Sequence, residues 1–192
     1  MGGKPGIDTV VIGASWGGLG AVSSILAGVP WRVNASIVLC QHQYPHALST
    51  LAQVLRGRTR LKVLEVEDKM PVEPGVLYVC PPNYHTLIER DRVFALNIDP
   101  AVMYCRPAVD VLFESAAEAY GERLAGIVLT GANEDGAAGL YHVARCGGMP
   151  IVQTPGTAEA PVMPEAALKQ VPWAHVMTLA EIGEFVASLA AA

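Results

Sequence analysis

Short runs of β-branched and aliphatic residues, each followed by a helical pattern, set the terms on which this chain can fold. Thr9-Val10-Val11-Ile12, Ala35–Cys40 and Ala125–Thr130 are apolar on both faces, as strands are when helices cover the sheet on two sides. Pro150–Gln153 reads as a fourth strand. Apolar residues at helical spacing follow each run: Leu19–Leu26, His46–Arg56, the stretch from Ala137, and a helix opened by Pro164 that runs to Gln170. Such alternation leads to a parallel sheet with helical crossovers. The middle of the chain differs. Leu61–Val66 alternates like a more exposed strand, Pro74-Gly75 marks a turn before Val76–Cys80, and Thr86–Glu89 with Arg92–Leu96 reads as an antiparallel hairpin. Pro107 suits the first turn of a helix ending near Tyr120. A late strand, His175–Met177, and a helix from Leu179 to Ala190 close the pattern. The expected fold is a single doubly wound α/β domain over residues 7–192, with a mostly parallel sheet, helices on both faces and a hairpin insertion. Residues 1–6 read as a flexible lead.

Composition narrows the function. A chain of 192 residues with 52% hydrophobic and 16% charged side chains can bury one substantial core. A formal charge of −5 and the absence of a basic stripe argue against nucleic acid as a partner. Cys40, Cys80, Cys105 and Cys146 form no C-x-x-C pair, which suggests reduced thiols and a cytoplasmic location. No signal peptide is read before the first strand, and no apolar stretch reaches membrane-spanning length.

The chemistry points to Ile12-Gly13-Ala14-Ser15-Trp16-Gly17-Gly18, a strand, a glycine turn and a helix start with Ser15 at the apex. This is the G-x-S-x-G form of a nucleophile elbow, in which glycines permit the sharp turn and helix N–H groups face whatever binds beside the hydroxyl. A dinucleotide-binding oxidoreductase is the rival reading, weakened because the loop would need glycine at Ser15 and an acid where Cys40-Gln41-His42 stands. Parallel strands put their carboxyl ends on one edge, and three of them here end near Ser15, His42 and Asp135. A serine, an imidazole and an acid to orient it make a hydrolytic set. The order along the chain is Ser, His, Asp, so the elbow does not bring the α/β-hydrolase fold with it.

The chain resembles the catalytic domain of CheB-type chemoreceptor methylesterases over nearly its whole length. The matching stretches are residues 12–18, Gln41-His42, Arg106–Phe113, Leu129-Thr130-Gly131, Asp135–Gly139 and Met163-Pro164. The resemblance implies Ser15 as nucleophile, His42 as general base and Asp135 as its orienting acid. It implies hydrolysis of glutamate methyl esters on the cytoplasmic helical domain of chemoreceptors, and deamidation of receptor glutamines. No cofactor is implied, and a separate receiver or methyltransferase protein is the further partner. Trp16 replaces a residue usually small, Ala132 replaces a methionine, and Asn133-Glu134 replaces a glycine-led pair. The backbone N–H groups near Trp16 and Ala132 are the expected oxyanion donors, and Arg106 is a candidate substrate contact or ion-pair residue. A catalytically impaired binding module, its acyl pocket blocked by Trp16, is the alternative.

Other residues are read blandly. Ser15 is expected within hydrogen-bond reach of His42, with Asp135 on the far side of the ring. Cys40 shares a strand with His42 but is expected to be a buried thiol. His42 and His46 are four apart, yet Pro45 between them argues against a shared metal-binding face, and no metal is expected. Asp110 is expected to cap or charge the start of its own helix, Glu134 is a fallback acid, and His85 a loop histidine that could line the cleft.

Overall fold

The computed structural model describes residues 6–44 and 50–190. Seven strands form one sheet in the order β3-β4-β2-β1-β7-β8-β9, every neighbouring pair parallel. The strands are β1 (Thr9–Ala14), β2 (Ser36–Gln41), β3 (Lys62–Glu65), β4 (Val76–Val79), β7 (Leu124–Val128), β8 (Met149–Gln153) and β9 (His175–Met177). The remaining two, β5 (His85–Ile88) and β6 (Phe94–Asn97), pair with each other as a separate antiparallel hairpin. Among the described residues there are six α-helices: α1 (Gly18–Leu26), α2 (Leu51–Arg56), α3 (Val109–Tyr120), α4 (Ala137–Arg145), α5 (Val162–Gln170) and α6 (Leu179–Ser188).

The two-residue period of the strands divides the core. Val10, Ile12, Ile37, Leu39, Ala125 and Ile127 face α1, α2 and α6. Val11, Val38, Cys40 and Val128 face α3, α4 and α5. Phe113 and Leu112 on α3 are fully buried, and each such side chain contributes about 1.5–3 kcal/mol over exposure. The hairpin packs on α3, where the Ser115 hydroxyl accepts the N–H of Ile88 at 3.1 Å.

Several boundaries differ from the sequence reading for physical reasons. Pro107 lies ahead of the first turn of α3, whose N-cap is Ala108 in extended conformation. Helix α5 begins at Val162, two residues before Pro164; the proline is still within the first turn, where no N–H partner is needed. The helix expected over 46–56 is seen as α2, residues 45–49 lying outside the described residues.

β1 is central, with β2 on one side and β7 on the other. From β1 the chain first winds toward β3, then crosses back and winds toward β9. The reversal falls between β1 and β7, at their carboxyl ends, where open α/β sheets bind ligands.

Candidate active site

Ser15 follows the last residue of β1, and its backbone is held from three directions. The Ser15 N–H donates to Thr130 O at 2.9 Å, and Ser15 O accepts from Gly18 N at 2.9 Å and from Gln41 Nε2 at 2.8 Å. Gln41 Nε2 also reaches His42 O at 3.2 Å, so one amide ties the serine turn to the histidine beside it. Thr130 Oγ1 donates to Trp16 O and accepts the N–H of Ala160, both at 2.9 Å. Gly17 takes a left-handed φ of 76° at the N-cap of α1, a conformation that a β-carbon disfavours. Gly131 is needed for closeness instead: an added Cβ would meet Met163 and lie 2.9 Å from Ser15 Cβ.

Across from the serine, Asp135 is fully buried and accepts three hydrogen bonds. They come from His42 Nε2 at 2.8 Å, Val109 N at 2.7 Å and Asp110 N at 2.9 Å. The last two are first-turn N–H groups of α3, so the carboxylate caps a helix 25 residues away. Asp110 returns the arrangement: its Oδ1 accepts from Gly136 N at 2.9 Å and Gly139 N at 2.7 Å, at the start of α4. The expected capping role of Asp110 is thus directed at α4 rather than at its own helix. Burial pushes the Asp110 carboxyl up to about 6, aided by the charge of Asp135 and opposed by the two backbone N–H bonds.

Desolvation pulls the pKa of His42 down, but its hydrogen bonds with Asp135 and with Cys105 more than reverse this and raise it to about 9. The contact with Cys105 was not foreseen. Its Sγ lies 3.6 Å from His42 Nδ1 and accepts from Asn133 Nδ2 at 3.3 Å. The thiol and the carboxylate therefore sit on opposite ring nitrogens. His42, Cys105 and Asp135 place potential ligand atoms within 4.8 Å of one another, so the thiol and the carboxylate are close to each other as well as to the ring. His46 lies outside the described residues.

Ser15, Trp16, His42 and Ala132 line one cleft of about 440 Å³, rimmed by Tyr44 and Tyr104. Among the described residues, Ser15 Oγ forms no hydrogen bond with His42, and the N–H groups of Trp16, Gly17 and Ala132 donate to nothing. Trp16 is 66% exposed, standing as a wall of the cleft rather than a plug. A second groove of about 390 Å³ meets the first at Ser15, Gln41 and Gln43 and continues past Glu159 and α2.

Other candidates are placed elsewhere. Arg106 is spent on the loop before α3, donating to Ile98 O (2.9 Å), Asp99 O (3.0 Å) and Asn83 Oδ1 (2.7 Å). His85 is buried, its Nε2 on Pro100 O at 3.1 Å and its Nδ1 accepting from Ala108 N at 3.3 Å. Cys40 faces the core, where a hydrogen bond with Cys80 and burial push its thiol well above the usual range. Glu134 is exposed and stays off the imidazole.

The sequence profile of the CheB methylesterase family matches residues 10–186. The crystal structure of the Thermotoga maritima CheB methylesterase catalytic domain superposes with a TM-score of 0.90 at 31% identity, covering 96% of this chain and all of that one. The chain belongs to the CheB methylesterase family. A Leptospira interrogans relative is 40% identical over 177 residues, spanning 92% of each chain. The Caulobacter vibrioides protein-glutamate methylesterase/protein-glutamine glutaminase 2 is 36% identical and the Myxococcus xanthus protein-glutamate methylesterase FrzG 35% identical. This chain spans 54% of the length of each of those two. With relatives bearing these names, and with Trp16 forming a wall of the cleft rather than filling it, the CheB-like impaired binding module is not favoured. Among the described residues no helix is long and apolar enough to cross a membrane.

Proposed function

We propose that Ser15, His42 and Asp135 carry the reaction of this methylesterase, the hydrolysis of glutamate γ-methyl esters on chemoreceptors. The observation that carries the reading is one cleft holding a serine at a strand-to-helix turn and an imidazole fixed by a buried carboxylate. Because Nε2 is committed to Asp135, the nitrogen available as base is Nδ1. Ser15 Oγ attacks the ester carbonyl as its proton passes to Nδ1. The carbonyl oxygen takes the negative charge, and the tetrahedral adduct collapses with loss of methanol, which carries that proton away. Water then attacks the glutamyl ester of Ser15, giving up a proton to His42, and the free glutamate leaves as the serine is restored.

The N–H groups of Trp16 and Ala132, which have no partner among the described residues, are suited to hold the oxyanion, each worth about 3 kcal/mol in comparable sites. Asp135 orients the ring and stabilises the imidazolium. With glutamine as substrate the same steps release ammonia. No step calls for a cofactor. The whole of residues 7–192 serves as the catalytic domain, acting in the cytoplasm on the helical receptor domain, with a receiver or methyltransferase protein as its regulator. Incubation with methylated receptor signalling domains should release methanol, and a serine-directed phosphonate should label Ser15 and stop the release. Methanol release that survives full labelling of Ser15 would overturn the assignment.

A further inference from the structure

The Nδ1 nitrogen of His42 has two claimants. Ser15 Oγ shares the cleft with it, yet the contact formed is with Cys105, at 3.6 Å. That contact is built rather than incidental. Met103 and Tyr104 both take left-handed backbone angles, φ 45° and 64°, in residues that pay for that conformation. The turn is closed by Cys105 N to Val102 O at 2.8 Å and Val102 N to Cys105 O at 3.1 Å. Arg106, next in the chain, pins the loop to Ile98, Asp99 and Asn83. On the far side Asn133 donates to Sγ with its amide while its Oδ1 accepts the N–H of Asp135 at 3.2 Å, linking the thiol to the acid of the same site.

We propose that Cys105 is a positioning residue for the esterase reaction: seated against Nδ1 of His42, its sulfur holds the ring in place and competes with Ser15 for the one nitrogen that can act as base. This rests on the assignment of His42 as the base. The competition is a matter of what occupies Nδ1. With both nitrogens protonated, Nε2 donates to Asp135, Nδ1 points to the sulfur, and His42 cannot accept from Ser15. Once Nδ1 has lost its proton and the sulfur turns to Met103 O, 3.5 Å away, Nδ1 is free for the serine. Among the described residues the groups facing the ring are Asp135 from the loop after β7, Cys105 from the loop before α3, and Ser15, Tyr44 and Tyr104 in the cleft, with Asp110 acting through Asp135. Cys40, two residues back on β2 and on the same face, is buried in the core beneath α3, where it bonds Cys80 and feels the charge of Asp135 and Cys105. Of these, the sulfur alone bears on Nδ1, and its removal must lower the pKa that Asp135 and Cys105 together hold at about 9.

The test is the ionisation of His42 read two ways, in the wild type, Cys105→Ala and Cys105→Ser. Ring resonances followed by NMR give the midpoint directly, and the acid limb of kcat/KM on 4-nitrophenyl acetate gives it through activity. Both variants should move the midpoint down by about one pH unit or more, since each removes the sulfur whose contact with the ring raises its pKa. The NMR shift should persist in a Ser15→Ala background. A sulfur that only fills space would lower the plateau rate and leave the midpoint within roughly 0.3 unit, and that result would overturn the proposal. Should Cys105→Ala fail to fold, the serine variant decides alone. If no variant shows esterase activity while the NMR midpoint still moves, the serine mechanism falls and the coupling of Cys105 to His42 stands.

Discussion

The start of α1 and the starts of α3 and α4 face the same site but are finished in opposite ways. At α1 there is no side-chain cap and no acidic residue in the first turn, and the N–H groups of Trp16 and Gly17 just ahead of it have no partner among the described residues. At α3 and α4 the N–H groups are filled by Asp135 and Asp110, each carboxylate reaching across to the other's helix. Helix starts concentrate unsatisfied donors and positive potential. Spending that resource on a carboxylate makes an anchor, and leaving it open makes a place for charge that appears only during reaction. The molecule does the first where it needs a fixed acid and the second beside its nucleophile.

The contrast can be broken from either side. Ser15→Ala should cost the most, on the order of 10⁴-fold or more in kcat, with an unchanged thermal melt, because the open side holds no other hydroxyl at the apex. Asp135→Asn should come next, about 10²–10⁴-fold in kcat. Its amide must also turn an NH2 toward Val109 N or Asp110 N, so urea denaturation should show a loss of about 2 kcal/mol. A variant stable and fully active would end the idea that the capped side is an anchor.

Asp110 sharpens the comparison through pH. A carboxyl raised from 3.8 to about 6 binds its proton more tightly in the folded state, so its contribution to stability is full below about pH 3.8 and lost as pH rises through 6. The stability difference between wild type and Asp110→Asn should therefore change across pH 4–6 and flatten above it, and Asp110→Ala, which strands Gly136 N and Gly139 N, should follow the same pH course with a further loss of about 2 kcal/mol. The smallest effect belongs to Trp16→Thr. With the indole forming a cleft wall, it should change the ratio of kcat/KM for long and short esters by roughly tenfold or less and leave the shortest ester nearly unaffected. Equal slowing of every ester would show that Trp16 positions the backbone donors instead.

What could be read beforehand followed chain-local rules. The elbow at Ser15 and the strands around it are written in glycines and β-branched runs, and the convergence of Ser15, His42 and Asp135 follows from where parallel strands end. Contacts set by loops were not legible. Cys105 meets His42 across 63 residues only because two non-glycine residues in succession adopt positive φ, which no pattern announces. One signal was present: Cys105 lies four residues before Val109, whose N–H Asp135 caps, so whatever precedes α3 is drawn toward the imidazole. Asp110 was legible as a cap but not as the cap of another helix, since its partners lie 26 and 29 residues on. Arg106 had the look of a ligand contact; only the path of the 98–105 loop shows both terminal guanidinium nitrogens engaged on that loop and on Asn83.

The packing of the first helix against the last bears on when in its life the protein can act. Ile25 and Leu26 of α1 are covered in one cluster with Ile182 and Val186 of α6, and Asn34 N bonds Leu189 O. A growing chain exposes its serine turn well before α6, and the helix behind that turn stays uncovered until α6 clears the ribosome. Emergence runs at about 5–20 residues per second, so the nucleophile waits seconds for its support. Ester cleavage is thereby a property of a chain that has reached α6, and one cut short before α6 is born with its nucleophile on an unsupported helix.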